Sequence, residues 1–267
     1  ESMLGWLNTM TYENGDIPLL NDSANKIAPT TEQLNQYAVN LNLKFKIDQR
    51  KSSGGQNSKL SDSGYRKIQN EYYEMIIDVG NIGPDYIPGH AHSDTFNFEL
   101  YVHTQPVIVD TGLSTYEAND RRQLERSTKS HNSVVVDGDD QSQVWGGFRV
   151  AKRAKIVDLK ELAGSIAATH DGYKDKAVWH TRKFMAEKDH IIIKDSLKSK
   201  KEHSCVAYLH FHPDIQLHVE SEKLISKLFT ISCINSHGIE LTDYDYSPEF
   251  NTMINAKCAI IWFQNEL

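Results

Sequence analysis

The sequence has few cysteines, no long apolar run and no excess of basic residues. Three cysteines, Cys205, Cys233 and Cys258, lack C-x-x-C spacing, which argues against a thiolate metal site and a disulfide framework, although one Cys233–Cys258 bridge stays possible. No stretch approaches the roughly 18 apolar residues of a membrane span, and no basic-then-apolar leader opens the chain. A formal net charge of -7 argues against nucleic-acid binding, because phosphate contacts need a basic face.

Helical patterning is confined to the start of the chain. Residues 3 to 10, MLGWLNTM, and 30 to 42, TTEQLNQYAVNLN, are predicted helices, the second opened by a Thr30 or Thr31 cap. The polar loop between them, NGDIPLLNDSANKIAP, contains two prolines, and two helices joined in this way cannot bury a core of their own. We therefore predict a helical segment at 1–43 that ends a larger unit, followed by a β domain at 44–267.

The rest of the chain is strand-like. Segment 51–58, KSSGGQNS, is predicted to be a flexible surface loop before the β region. From residue 65 onward, alternating or β-branched segments are separated by turn residues; among them are YEMIIDV, TFNFELYV, PVIVD, NSVVVDG, SCVAYLHFH and CAIIWF. Many strands with few helical periods between them favour a layered antiparallel β-sandwich over a parallel α/β sheet.

Residues 85–100, DYIPGHAHSDTFNFEL, contain two histidines one residue apart. If the chain is extended from His90 to Leu100, then His90, His92 and Asp94 share one face at a spacing of about 6.6 Å, from a rise of about 3.3 Å per residue. The chain would then form a strand that starts with polar groups and continues into the core.

Two further strands carry possible ligands at their ends. Asp110 ends PVIVD, and His131 comes just before NSVVV. Two neutral imidazoles and one carboxylate suit a divalent transition metal such as zinc, with an open position for water or substrate, whereas calcium is less suited. The favoured triad is His92, Asp110 and His131.

A second pair, His210 and His212 in LHFHPD, has the same spacing. With twelve histidines in the chain, such pairs are expected by chance. A solvent-facing strand edge is the favoured interpretation of this pair, and a metal site is the alternative.

Several motifs, taken in order, resemble a known family. PGHAHSDTFNFELYV, PVIVDTGLSTYE, RSTKSHNSVVVDGDDQSQVWGGFRVAKRA and HDGY are similar to the β-sandwich region of the heparinase II/III-like polysaccharide lyases, over residues 84 to 185. The stretch NGDIPLLNDSA resembles the link between this family's toroid helices. The resemblance implies an (α/α) toroid followed by a layered antiparallel sandwich, with an anionic polysaccharide between them. The toroid and its catalytic side chains are not recognisable here, so the fragment is expected to be inactive alone.

The resemblance also implies roles for individual residues. His90 matches the family's catalytic histidine on the sandwich, and an imidazole suits proton transfer near neutral pH. His92, Asp110 and His131 match the family's metal ligands. The ion, by this reading zinc, would organise the sandwich side of the cleft rather than act directly as a Lewis acid.

Substrate contacts are predicted from a basic segment and from aromatic residues. DRRQLERSTKSH offers Arg126 first and Arg122 second, because guanidinium forks suit carboxylate or sulfate. The alternatives are a solvated loop or an internal pairing with a nearby acid. Tyr86, Tyr116 and Trp145 are candidates to stack on a sugar ring, the alternative being burial in the core.

Three function classes follow. The first is the C-terminal part of a bacterial polysaccharide lyase, periplasmic or secreted, that cleaves a uronate-containing glycan such as a glycosaminoglycan by β-elimination. The second is a noncatalytic carbohydrate-binding or structural sandwich that keeps the metal site. The third is a metal-assisted glycan hydrolase.

Overall fold

The computed structural model describes residues 2–43, 56–60 and 63–265. The predicted boundary at residue 44 and residues 51–55 of the predicted loop lie outside these ranges. Residues 56–58 of that loop belong instead to a strand at 56–60, because the backbone there pairs with that of residues 65–69.

Three α-helices lie in the described ranges: α1 (Ser2–Met10), α2 (Thr31–Asn40) and α3 (Asp120–Glu125). The first two confirm the predicted helices. At the start of α2 the Thr30 hydroxyl accepts from the Gln33 amide at 3.2 Å, and the Gln33 side chain accepts from the Thr30 amide at 2.9 Å. This capping box satisfies two amides at the helix start. Helix α3 was not predicted, since six residues are too few to show a helical period.

The strands are short and antiparallel. In the described residues they are β1 (Gln56–Leu60), β2 (Tyr65–Gln69), β3 (Tyr73–Asp78), β4 (Phe98–Val102), β5 (Gln105–Ile108), β6 (Val134–Val136), β7 (Gln143–Trp145), β8 (Arg149–Ala151), β9 (Ile156–Leu162), β10 (Ser165–His170), β11 (Trp179–Ala186), β12 (Ile191–Lys198), β13 (Ser204–His210), β14 (His218–Glu220), β15 (Lys223–Ile225), β16 (Thr230–Ser232), β17 (Gly238–Tyr246) and β18 (Ile254–Gln264).

Three larger sheets carry the architecture, in the strand orders β1-β2-β3-β4-β5, β12-β11-β10-β9 and β17-β18-β13-β6. Two smaller sheets, β14-β15-β16 and β7-β8, lie beside them. The largest apolar cluster draws residues from all three large sheets, including Met75, Phe98, Phe184 and Ala259. The layered, mainly β architecture that the sequence predicts is therefore confirmed, and apolar burial between the layers stabilises it.

The segment between α1 and α2 packs on the first sheet. The rings of Tyr12 and Tyr101 stack with centroids 3.7 Å apart. Glu99 on β4 accepts from the Tyr12 hydroxyl at 3.1 Å and from the Leu19 amide at 2.9 Å, and burial raises the pKa of Glu99 to about 8. The middle of the segment, at Asn21 and Asp22, contacts His92 in the turn before β4.

The predicted strand from His90 to Leu100 is wrong over its first half. The chain turns where the Ala91 amide donates to the Pro88 carbonyl at 3.0 Å, and again where the Asn97 amide donates to the Asp94 carbonyl at 2.8 Å. Phe96 has a φ of 70°, which no strand residue adopts, and β4 begins only at Phe98. The two histidines and Asp94 therefore do not share a strand face.

Two smaller expectations also need correction. His210 is not solvent-facing: it is 3% exposed, and its backbone amide donates to the Asn132 side chain at 2.8 Å. The three cysteines are free thiols, so Cys233 and Cys258 form no bridge. In the part of the chain that the structure describes, no helix has the length and apolarity to cross a membrane.

Candidate functional site

A buried carboxylate joins the two histidines of the HAH motif. Asp22 accepts from His90 Nδ1 at 2.7 Å and from His92 Nε2 at 2.8 Å. The two terminal guanidinium nitrogens of Arg122, Nη1 and Nη2, also donate to it, Nη2 at 2.8 Å. We call these four residues the Asp22 cluster. Burial alone would raise the pKa of Asp22, but hydrogen bonds from His92 and Arg122 outweigh it and lower the pKa to about 2. Asp22 is therefore an anion throughout the physiological range.

The neighbouring Asn21 also contacts the turn that carries His90 and His92. Its backbone is left-handed, with a φ of 55°, a conformation that asparagine tolerates better than most residues. Its side-chain oxygen accepts from the His92 amide at 3.2 Å, and its side-chain nitrogen donates to the Tyr65 hydroxyl at 3.0 Å. Asn21 and Asp22 therefore tie the segment before α2 to the histidine turn.

The two histidines differ in environment. The His90 side chain is 66% exposed, whereas the His92 side chain is fully buried. Burial lowers the pKa of His92, so its ring is held neutral. Its Nδ1 is buried without a hydrogen-bond partner among the described residues. An exposed imidazole suits contact with a substrate, while a buried one with a spare nitrogen suits a ligand role.

Asp110 and His131 lie next to His92. His131 Nδ1 bonds to Asp110 Oδ2 at 2.8 Å, the Gly112 amide donates to Asp110 Oδ1 at 2.9 Å, and Asn97 donates to Oδ2 as well. The ring centroids of His92 and His131 are 5.2 Å apart. Although burial opposes both charged forms, their mutual attraction raises the pKa of His131 and lowers that of Asp110. The structure therefore brings His92, Asp110 and His131 next to one another.

The fit of this triad to a metal ion is incomplete. His92 Nδ1 and His131 Nε2 are buried and unpaired among the described residues, which is the state of a ligand nitrogen without its cation. The Asp110 carboxylate, however, is directed at His131 Nδ1, and no group of three His, Cys, Asp or Glu side chains in residues 2–43 and 63–265 is arranged to hold a metal. The two imidazoles fit a cation, and Asp110 fits one only if it gives up its bond with His131.

The two predicted substrate-binding arginines are internal. Arg122 is fully buried in the Asp22 cluster, and its Nε donates to the Gly147 carbonyl at 3.0 Å. Arg126 is 1% exposed and donates to the Ala91 carbonyl, from Nη2 at 2.9 Å. Both guanidinium groups support the turn that carries the histidines, so neither offers an open fork to an anion. Arg122 is therefore paired with an acid inside the protein, whereas Arg126 is bonded to backbone carbonyls and not to a nearby acid.

Aromatic side chains surround His90. Its ring centroid is 5.9 Å from that of Tyr116 and 5.8 Å from that of Phe148, and these two rings are 5.4 Å apart. Tyr116 is 37% and Phe148 44% exposed, and the Arg122 guanidinium lies about 5.3 Å from the Tyr116 ring. Trp145 and Tyr86 are also exposed, which agrees with an accessible rather than a core position. Phe148 was not singled out from the sequence, although an aromatic after a Gly-Gly pair in a motif-matched segment is a usable signal.

A second histidine cluster, also missed from the sequence, lies under β9–β12. Asp195 accepts from His180 Nε2 at 2.6 Å and from Arg182, at 2.7 Å from Nε and 2.8 Å from Nη2. His180 Nδ1 bonds to His170 Nε2 at 3.0 Å. We call these four residues the Asp195 cluster. Arg182 Nη1 also donates to the carbonyls of Phe96 and Asn132, at 3.0 and 2.6 Å, which links this cluster to the site.

The fold and the site first define a class: layered antiparallel sheets with a cluster of two histidines, an aspartate and an arginine at the turn before β4, in which one of the two histidines is exposed. A family model described as heparinase II/III-like, C-terminal, matches residues 53–264, and the chain belongs to that family. A search of the curated proteins finds no match.

Solved structures show the same fold. A mutant of the heparan sulfate lyase HepC from Pedobacter heparinus has a TM-score of 0.73 at 14% identity, over 97% of this chain and 43% of that one. A structure of heparinase III has a TM-score of 0.69 at 15% identity, over 98% of this chain and 45% of that one. The chain therefore spans less than half the length of these enzymes.

Proposed function

We propose that this chain is the C-terminal part of a polysaccharide lyase that cleaves a uronate-containing anionic glycan, of the glycosaminoglycan class, by β-elimination. An N-terminal toroid would complete the cleft, so the chain alone would be inactive. We also propose that the whole protein works in the periplasm or outside the cell. Membership of the heparinase II/III-like family supports the class of reaction, as do the heparan sulfate lyase and heparinase III that share the fold.

The observation that carries the proposal is His90. Its ring is exposed, while its Nδ1 is bonded to a buried carboxylate and its neighbours are two exposed aromatic rings. An oriented imidazole at the protein surface, beside side chains that suit a sugar face, is the arrangement that proton transfer on a glycan requires.

The proposed reaction is balanced without a co-reactant. A base removes the proton from C5 of the uronate, the electron pair forms the C4–C5 double bond, and the bond from C4 to the glycosidic oxygen breaks. An acid then protonates the leaving oxygen. Charge that develops on the uronate carboxylate must be met by positioned donors. His90 would accept the proton or neutralise this charge, and toroid side chains would supply the remaining groups.

The substrate contacts in the proposal come from exposed residues first. Tyr116, with Phe148 beside it, would hold a pyranose ring against His90, and Trp145 and Tyr86 would extend the contact. Arg122 and Arg126 are retained as substrate-binding candidates only through a rearrangement, because both are now buried and paired.

A divalent metal ion, zinc rather than calcium, is part of the proposal, with His92, Asp110 and His131 as ligands. The two unpaired, buried ring nitrogens support it. When bound, the ion would fix the turn that carries His90 to the strand ends that carry Asp110 and His131. The residues themselves would orient the site, since Asp22 already holds the other nitrogen of His92, the usual partner arrangement for a ligand histidine.

Elemental analysis of the purified protein tests the metal. We expect about one zinc per chain, loss of the metal in His92→Ala and a lower melting temperature in that variant. His190→Ala, an exposed histidine paired only with its neighbour Asp189, is the matched control and should keep full occupancy. Full zinc occupancy in His92→Ala would remove His92 from the ligand set.

Digestion of a glycosaminoglycan panel that includes heparan sulfate tests the function, with the full-length protein. A rise in ultraviolet absorbance from an unsaturated uronate marks a lyase. New reducing ends without that absorbance mark a hydrolase, and glycan binding with neither product marks a binding module. Either of the last two results would overturn the proposal.

A further inference from the structure

Asp22 does more than fill a buried position. It lies in the loop before α2, its side chain is 5% exposed, and it bonds to two places that are distant in sequence, the turn that carries His90 and helix α3, which carries Arg122. In the described residues its bond to Nδ1 is the one hydrogen bond made by the His90 ring. The orientation of His90 therefore depends on Asp22.

The chemistry of the partners decides which ring nitrogens carry protons. A carboxylate paired with a guanidinium fork is ionised, and an ionised carboxylate can only accept hydrogen bonds. The nitrogen that faces it must be a donor, so His90 carries its proton on Nδ1 and His92 carries its proton on Nε2. The other nitrogen of each neutral ring, Nε2 of His90 and Nδ1 of His92, keeps a lone pair.

The two lone pairs serve different sides of the site. Nδ1 of His92 is buried, on a ring whose centroid lies 5.2 Å from that of His131. Nε2 of His90 is on the ring edge away from Asp22, and the His90 side chain is 66% exposed. A neutral imidazole with its lone pair turned outward is a proton acceptor, whereas the other tautomer would present an N–H donor there.

We propose that Asp22 is a positioning residue that fixes His90 in the Nδ1–H tautomer, so that Nε2 faces the glycan cleft as the proton acceptor. This inference rests on the proposed lyase function for its purpose, but the tautomer itself does not. Arg122 holds the Asp22 carboxylate in place with its fork, and the Gly147 carbonyl and two aromatic rings hold Arg122. The proton acceptor is thus set through His90 by the buried ion pair of Asp22 and Arg122.

Nitrogen-15 NMR of the unaltered protein tests the tautomer directly. At a pH high enough to keep the ring neutral, we expect a protonated, pyrrole-type shift for His90 Nδ1 and a pyridine-type shift for Nε2. The Nε2–H form, or the mixture that a free histidine shows, would overturn the inference. No substrate is needed, so this result is independent of whether the protein proves to be a lyase.

Asp22→Asn tests the consequence, in the full-length protein. The amide keeps the shape of the carboxylate but places an N–H where His90 or His92 now donates. We expect kcat to fall by about 10²-fold or more with KM little changed, because a wrong tautomer lowers the chemical step. The control is Asp245→Asn, an arginine-paired aspartate without a histidine partner, which should keep both the His90 shifts and kcat.

A double variant, Asp22→Asn with His90→Ala, distinguishes a role of Asp22 in positioning His90 from a role in supporting the fold. If Asp22 acts through His90, Asp22→Asn adds almost no loss of kcat in a His90→Ala background. An equal additional loss there would show that Asp22 supports the fold or the metal ligands instead, and would overturn the inference. If Asp22→Asn fails to fold, the shifts of the unaltered protein decide alone. Inactivity of the unaltered full-length enzyme, with the expected shifts, would count against the lyase function only.

Discussion

Two clusters in this molecule are built from the same kinds of residue. In the Asp22 cluster and in the Asp195 cluster, an arginine fork and a histidine nitrogen both donate to one aspartate, which is buried at Asp22 and partly buried at Asp195. In each, the arginine charge and the hydrogen bonds from histidine and arginine lower the carboxylate pKa, although burial opposes this. Residue type and pairing therefore do not tell the two apart.

The two clusters differ in the exposure and hydrogen bonding of one histidine, His170 in the Asp195 cluster and His90 in the Asp22 cluster. His170 is fully buried, and its remaining nitrogen accepts from the Gly172 amide at 3.0 Å, so every ring nitrogen of the Asp195 cluster is used inside the protein. His90 is two-thirds exposed and has one nitrogen left over. An oriented histidine with an unused, accessible nitrogen is what the proposed proton transfer needs, whereas the closed network links β10, β11 and β12.

The largest expected effect is a loss of kcat on substitution in the Asp22 cluster, which would distinguish it from the Asp195 cluster. His90→Ala should lower kcat of the full-length protein by about 10² to 10⁴-fold, the usual contribution of an acid or base. Its free energy of unfolding should change by less than about 0.5 kcal/mol, because the ring is exposed and Asp22 keeps its other partners. Glycan digestion and urea unfolding measure the two quantities.

His180→Ala is the counterpart for the first comparison. It removes the centre of a buried network, so the protein should be less stable while kcat of the folded fraction is retained. If His90→Ala instead loses stability and His180→Ala loses kcat, the assignment of the two clusters is reversed.

Replacing the aspartate of the Asp195 cluster should have the next largest effect, on the free energy of unfolding. Asp195→Ala leaves the Arg182 charge buried without its partner, which should lower the free energy of unfolding by about 3–5 kcal/mol. Asp175→Ala, which breaks an exposed pair with Lys152, is the control and should be indistinguishable from the unaltered protein in urea. A loss below about 1 kcal/mol for Asp195→Ala would mean that water reaches Arg182.

The sequence singled out His90, His92 and Arg122 of the Asp22 cluster, whereas of the Asp195 cluster it showed only His170, within the HDGY motif. His90, His92, Asp110 and His131 could be grouped because their motifs stand at strand ends, and the last three do lie together. Asp22 was quoted only as part of a linking loop, since nothing local shows that its carboxylate bonds to a distant turn and to a distant helix.

Local physics explains the other successes and failures. The Thr30 cap and α2 were predictable because capping depends on residues three apart. The strand at 90–100 was wrong because alternation does not show that Phe96 turns left-handed. His210 was misjudged because its burial depends on Asn132, on a different strand segment. Pairings across the sheets are tertiary facts that a single sequence pattern does not contain.

Acid should destabilise the protein in part through the Asp195 cluster. Burial lowers the pKa of His170 well below its ordinary value and also lowers that of His180, the charged or titratable neighbours being Asp195, Arg182 and Tyr173. Below about pH 6.5 the unfolded chain binds protons that the native rings refuse, so stability is complete above that pH and falls as the pH drops. The slope is up to about 1.4 kcal/mol per pH unit for each histidine.

Urea unfolding at pH 7.5 and 5.5 measures this slope. His170→Gln removes one of the two rings and should give a shallower dependence on pH than the unaltered protein. The same slope in both proteins would mean that His170 is protonated in the native state or that other groups govern acid unfolding.

The smallest expected effect is on KM and concerns the surface beside His90, the exposed side of the Asp22 cluster that the Asp195 cluster lacks. Phe148→Ala removes an exposed ring 5.8 Å from His90, and the loss of one aromatic contact, about 0.5–1.5 kcal/mol, should raise KM by about 2 to 10-fold with kcat unchanged. Leu162→Ala, an exposed apolar residue on β9, is the control and should change neither constant. A fall in kcat alone would mean that Phe148 orients His90 rather than the sugar, because Phe148 also borders the Arg122 fork that holds Asp22.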